Sequence, residues 1–496
     1  MDSRAAKPYL CIPQNLIDEL KQNLSGYVLQ PGDPGFGPVI QIDNGRVNLQ
    51  PQLVVMANGV EDVVTALRFA QTNQAKFTVI GGGHSAAGYC LNTGGMVLDL
   101  SLMNSIRLDA RMGRVNVQMG ARWNDVYVFL MQGGTGLIPI GGGCPTVGIP
   151  GFMQGGGYSF ASRSYGLSID NLHSLTIVTP DCEVRRISDA SQSKEERDLF
   201  WACRGGGGGN FGIIVEMEIQ AHRPRTPKML MAQIRYDPAQ AQDVLGFYNE
   251  WVEGVPNELA VYGIWGTQPD PADTSKIIKT FGFTAVYNGD FPEGLALVEP
   301  LLKRRPILAL LNSFTLPEFE EVNGRTTLVG RRSAYIRSGM MAPGSMQPKA
   351  VEILEHYMNS APSPSSFMVW THAGGAIGNV AADATAFYHR SARFVPEIKS
   401  IWDRPQDARA NIEWAYSFYK DLGEFFTGAY VNYIDPLLPE WAKQYYGGNY
   451  ERLLRVKQHW DPGRFFHFQQ GIGSTFEPKT TMPLDLSPLN RTIIDE

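Results

Sequence analysis

An imidazole and a thiol each stand inside a run of glycines. His84 lies in Val79-Ile80-Gly81-Gly82-Gly83-His84-Ser85-Ala86-Ala87-Gly88, and Cys144 in Gly141-Gly142-Gly143-Cys144-Pro145-Thr146-Val147-Gly148, which runs on to Gly155-Gly156-Gly157. Glycine permits close approach of the main chain. Consecutive backbone N–H groups in such turns make anion-binding concavities suited to a dinucleotide pyrophosphate, and a flat ring can lie against bare main chain. Taken singly, a histidine that only hydrogen-bonds and a small buried thiol account for each residue as well. The pairing is what is specific.

The elements that must position these turns are legible as an α+β pattern. Apolar residues recur at helical spacing over 13–23 and 62–71, and short apolar runs at 53–56, 77–80, 96–100 and 114–117 read as strands. A helix is predicted from Trp123 to Leu130, a hairpin from 172–178 with 184–187, and a helix over 198–203 that closes onto Arg204 and five glycines. The basic, proline-bearing stretch Ala221-His222-Arg223-Pro224-Arg225-Thr226-Pro227 suits a domain boundary. Beyond it, strands are predicted at 229–236, 259–267, 277–287 and 366–373, with helices at 239–251 and 294–302, so that a sheet is backed by helices. Tyr262, Ile264 and Trp265 on one strand, and Trp370 and His372 on one side of another by the period of two, are candidates to line a pocket. His372 is a candidate catalytic residue.

The chain has 496 residues, long enough for two or more domains with substantial cores. A net charge of −6 gives no electrostatic case for nucleic acid, whose partners are usually basic. The first residues lack an apolar signal core, and nowhere do about eighteen apolar residues run uninterrupted. Five scattered cysteines without CxxC spacing suggest neither a disulfide framework nor a metal site. The expected setting is the cytoplasm, with neither nucleic acid nor membrane as partner.

The glycine turns, together with Arg163-Ser164-Tyr165-Gly166-Leu167, Asp170-Asn171, the stretch Trp201-Ala202-Cys203-Arg204 through Gly209-Asn210-Phe211-Gly212, and Asn432-Tyr433-Ile434-Asp435 near the C-terminus, resemble the berberine bridge enzyme-like FAD-linked oxidases. These have a PCMH-type FAD-binding fold of the vanillyl-alcohol oxidase superfamily. The resemblance implies a two-subdomain FAD-binding domain over 1–225 and a substrate domain over 226–426 with an antiparallel sheet backed by helices. It further implies a segment at 427–475 returning to the FAD domain and a tail at 476–496. It implies covalent FAD, with His84 bonded to the flavin 8α-methyl and Cys144 to C6. Gly81, Gly82, Gly83, Ser85, Val147, Gly148, Gly155, Gly156, Asn210, Gly212, Tyr433 and Gln470 would be further cofactor contacts.

By the same resemblance, Tyr433 is the expected base. An unperturbed phenol near pKa 10 is a poor base at neutral pH, so a cationic or hydrogen-bonding neighbour is required. Val147 matches the position that admits oxygen in oxidases. Two departures stand out: Phe152 replaces a histidine that steadies negative charge at the flavin, and Ile80 replaces a basic residue. The implied activity is oxidation of a hydroxyl, phenol-adjacent or amine-adjacent carbon of a small organic molecule, a specialised metabolite, with O2 reduced to H2O2. A non-redox cyclase using the flavin pocket as template and an oligosaccharide oxidase are the alternatives.

Overall fold

The computed structural model describes residues 11–320 and 330–478. The expectations for the first ten residues, and for the tail beyond 478, fall outside them. Leu53–Met56 and Met96–Asp99 are buried at every position, as continuous apolar runs must be when both sheet faces are covered. They form the middle of a four-stranded sheet in the order Tyr27–Leu29, Leu53–Met56, Met96–Asp99, Phe77–Ile80, with the last three strands parallel. Helix Val60–Thr72 covers it with Val63, Ala66, Leu67 and Ala70. The glycine turn bearing His84 leaves directly from the end of Phe77–Ile80.

A second sheet is antiparallel, in the order Ile106–Asp109, Arg114–Gln118, Ile213–Gln220, Leu172–Val178, Val184–Ile187. From Val215 on, its central strand alternates buried and half-buried residues, the pattern of a strand with one face in the core. One continuous core joins both sheets, with Trp123, Phe200, Trp201 and Tyr446 among its largest members.

The sheet changes between Gln220 and Met229. From there to Gly428 the strands form a nine-stranded antiparallel sheet in the order Leu308–Phe314, Met229–Tyr236, Ile277–Tyr287, Leu259–Pro269, Phe367–His372, Phe394–Trp402, Met340–Met341, Phe426–Gly428, with Ser333–Ser338 also paired to Phe394–Trp402. One face is closed by helices Ala241–Trp251, Phe291–Leu302, Pro348–Asn359 and Ala408–Leu422 over a core that includes Tyr248, Trp265, Phe283, Trp370 and Phe418. On the other face Gln233, Tyr262, Ile264, Thr284 and Val369 are only half-buried. Paired residues in a sheet share a face, so Ile264, Val369 and Glu397, which lie opposite one another across three strands, belong to this open face.

The period of two places Trp370 and His372 on one side, as predicted, but that side is the helix-backed core, together with Trp265. Of the residues expected to line a pocket, Tyr262 and Ile264 face the open side. Trp265, Trp370 and His372 do not.

After Gly428 the chain returns to the first core through helices Trp441–Tyr446 and Tyr450–Trp460. Buried Asp435 pins this return: its carboxylate accepts from the Tyr335 hydroxyl at 2.7 Å and from Arg337 Nε at 2.7 Å, and its backbone N–H donates to Tyr445. Asn44, from the first domain, both donates to the Ala334 carbonyl and accepts from its N–H at 3.0 Å. Arg163 donates to the carbonyls of Leu259 and Ala373. Asn44 and Arg163 thus satisfy backbone across the junction, and Asp435 is paired with side chains, as buried polar groups must be.

Candidate active site

The two glycine turns dock against each other. A Cβ added to Gly82 would lie 2.2 Å from Gly148 N, and one added to Gly148 would lie 2.4 Å from Gly82 N. The missing side chains are thus taken up by main chain across the contact, and this close approach sets His84 beside Cys144. His84 Nε2 is 2.9 Å from Thr146 Oγ1, and Cys144 Sγ is 3.5 Å from the same hydroxyl. His84, Cys144, Thr146 and Val147 are all half-buried, whereas Pro145 and Gly148 are buried. Burial pushes the His84 pKa below the ordinary histidine value; Asp43 opposes this, and Lys399 and Arg122 add to it. The imidazole is therefore neutral at pH 7.

The open face of the nine-stranded sheet meets this pair. Lys399, on strand Phe394–Trp402, is close enough to His84 to act on its charge, and Glu397 stands two residues earlier on the same face. The Tyr433 hydroxyl lies close enough to the Glu397 carboxylate for each to shift the other's ionisation. Burial raises the Glu397 pKa above the ordinary carboxylate range, while Lys399 and Tyr433 hold it back. Tyr433 is driven well above the usual phenol value, chiefly by burial and then by Glu397.

The neighbour expected to lower the Tyr433 pKa is a cationic or hydrogen-bonding group; the structure places the Glu397 carboxylate there, which adds to the upward shift from burial. Sequence reasoning missed Glu397. The period-two run Val395, Glu397, Lys399 was available, but Pro396 in its midst argued against a central strand.

His372 is separated from this site by the sheet itself. It is buried, its Nδ1 accepts from Val261 N at 3.2 Å, and burial, with Arg163 and Arg393 nearby, keeps it neutral. Asn210 spends its amide on its own turn, donating to the carbonyls of Gly206 and Gly207 and accepting from Ile472 N. The Gly212 position abuts the Val178 carbonyl, where a Cβ would come within 2.6 Å. Ser85 Oγ accepts from Tyr89 N. Gly81 leaves room for Pro150, Gly155 for the Asn432 amide and Gly156 for Phe387, and Gly83 takes a left-handed backbone, φ +71°. Phe152 packs edge-on against Trp123 at 5.3 Å, and its carbonyl accepts from Asn432. Ile80 is buried at the end of its strand. Gln470 is fully buried; its Nε2 donates to the Asp435 carbonyl and its Oε1 has no partner.

These residues fit FAD. Docked glycine turns offer bare main chain, an imidazole and a thiol converge on one hydroxyl, and a buried amide oxygen next to the Tyr433 segment awaits a donor. FAD at this site would supply a two-electron acceptor.

Comparison with known proteins agrees. Residues 51–188 match the FAD binding domain family and residues 429–473 match the family described as berberine and berberine like. The FAD-linked oxidoreductase YgaK of Bacillus subtilis (strain 168) is 30% identical over 456 residues, covering 91% of this chain and 98% of its own. The (R)-6-hydroxynicotine oxidase of Paenarthrobacter nicotinovorans is 35% identical over 239 residues, about half of each chain (48% and 50%). The solved structure of Physcomitrella patens BBE-like 1 superposes with a TM-score of 0.82 at 23% identity, covering 92% of this chain and 98% of the other. The fold is thus that of the PCMH-type flavoproteins.

Proposed function

Because the chain belongs to the berberine bridge enzyme-like FAD-linked oxidoreductases, we propose that it is an oxidase with FAD bonded to both His84 and Cys144. It would oxidise a hydroxyl-, phenol- or amine-bearing carbon of a small specialised metabolite in the cytoplasm. The observation that carries this reading is the convergence of His84 and Cys144 on the Thr146 hydroxyl, facing a sheet surface that holds Glu397, with Tyr433 beside it from the turn Val431–Tyr433. FAD held by these residues would supply the two-electron acceptor for the substrate, with O2 as the terminal acceptor and H2O2 as its product.

The protein's own part is positioning and proton transfer. A neutral His84 offers its lone pair for bonding, and Thr146 orients both attachment atoms. Glu397 accepts the proton that the substrate's hydroxyl or amine loses as its carbon is oxidised. A carboxylate raised toward neutrality is a better base than one at its ordinary value, because basicity rises with pKa while enough of the group stays ionised. Lys399 and Tyr433 both favour its ionised form. Val147, half-buried beside Cys144, leaves the approach for O2 that a longer side chain would fill.

The test is anaerobic mixing of the yellow protein with alcohols, phenols, amines and sugars, followed by admission of air. Bleaching of the visible bands by one class and their rapid return in air are expected. A chromophore that no class bleaches would favour the cyclase alternative, and a bleached chromophore that air does not restore would make it a dehydrogenase.

A further inference from the structure

Glu320 is 1% exposed, and neither of its carboxylate oxygens has a hydrogen-bond partner. A carboxylate is not left dry and unpaired without cost, and buried charges elsewhere in this chain are paired, as in Arg337 with Asp435 and Arg390 with Asp170. Its surroundings explain what it awaits.

Residues 316–320 form a helical turn in which Leu316 and Phe319 pack against Phe160, Ile138 and Ile140. Phe160 stacks on Tyr262 at 4.2 Å and meets Phe319 edge-on at 5.3 Å. The Glu320 charge is felt by two tyrosines, Tyr262 on the open sheet face and Tyr127. The Tyr127 hydroxyl donates to the Gly142 carbonyl at 2.9 Å, in the turn that bears Cys144. Glu320, next to Phe319 in this cluster, is thus near enough to act on Tyr127, which is tied to the Cys144 turn, and on Tyr262 of the sheet face, and Tyr262 is in turn near Tyr433. A bare carboxylate among aromatic rings is the chemistry that recognises an ammonium group, by charge and by ring quadrupole together.

We propose that Glu320 is a specificity-determining residue that binds a protonated amine carried by the substrate, with Tyr262 and Phe160 forming the aromatic wall of the same subsite. This rests on the oxidase reading above and narrows its substrate to an ammonium-bearing molecule. Glu397 handles the reacting end, and Glu320 holds the charge. Burial places the Glu320 pKa at about 8. The titratable groups that face it are Tyr127 and Tyr262, and among the described residues no cationic side chain offsets it.

The probe is benzyltrimethylammonium, a cation at every pH, compared with neutral benzyl alcohol. Calorimetric titration of the holoenzyme should show the cation binding roughly a hundredfold more tightly at pH 9 than at pH 6, as the carboxylate ionises through about 8. The alcohol should show no such slope. Glu320→Gln should bind the cation no better than the alcohol and lose the slope, while Glu320→Asp keeps it. Removing a buried unpaired charge should also leave Glu320→Gln at least as thermally stable as the parent. A wild type indifferent to charge, a slope that persists in Glu320→Gln, or a Glu320→Gln protein that fails to fold would each overturn the proposal. The visible spectrum recorded before titration tests the flavin reading separately, since calorimetry reads cation binding whether or not the chromophore bleaches.

Discussion

Replacing Glu397 by Gln keeps the size of the side chain but removes the group that can hold a proton. The structure gives that group a raised pKa through burial, moderated by Lys399 and by Tyr433. The rate of anaerobic flavin reduction should therefore rise with pH through an ionisation above the ordinary glutamate value of about 4.3, because the base works only when deprotonated. In Glu397→Gln that limb should vanish and the limiting rate should fall by about 10²- to 10⁴-fold, the usual yield of a positioned base. At 1.36 kcal/mol per tenfold this is about 2.7 to 5.4 kcal/mol of barrier. Lys399→Met should move the limb to higher pH, since loss of a nearby cation disfavours the carboxylate. Stopped-flow absorbance of the flavin bands, wild type against both variants, is the assay. A Glu397→Gln rate within threefold of wild type, with the pH limb intact, would refute the assignment. So would a Tyr433→Phe loss far exceeding that of Glu397→Gln, which would return the base to the phenol.

Three further outcomes are expected. Cys144→Ala should retain flavin through His84 after denaturation, detected as yellow colour in acid-precipitated protein, because the imidazole stands on a separate turn. Val147→Leu should slow return of the flavin bands in air with little change in anaerobic bleaching, measured in the same stopped-flow cell. Gly82→Ala would press a methyl onto the Gly148 main chain, 2.2 Å from its nitrogen. It should cost at least the ~3 kcal/mol at which overpacking becomes severe, seen as a large fall in melting temperature and loss of bound flavin.

The glycine turns were readable because their residue types state the need directly: close main-chain approach leaves few other choices, and His84 and Cys144 stand inside it. Thr146, which joins the two, carries no such mark, since a threonine in a turn is common and its hydroxyl has meaning only once the turns have docked. The nine-stranded sheet was half legible. Alternation gave the shared side of Trp370 and His372, but Phe367–His372 is apolar toward both faces, so nothing in its pattern says which face is covered by helices. Glu397 and Lys399 lay hidden behind Pro396, and the burial that chiefly raises Tyr433, like the carboxylate that adds to it, exists only once the domains have packed. Asp435 was visible as a motif residue, yet its partners Tyr335 and Arg337 lie nearly a hundred residues away in sequence, a distance that local pattern cannot bridge.

The central claim, that His84 and Cys144 jointly hold the flavin, is tested most directly by mass spectrometry of the denatured protein, followed by peptide mapping. The account predicts a chain heavier by one FAD, and a single flavin-bearing species in which the His84 and Cys144 peptides are cross-linked. A denatured chain with the mass of the bare polypeptide would contradict it.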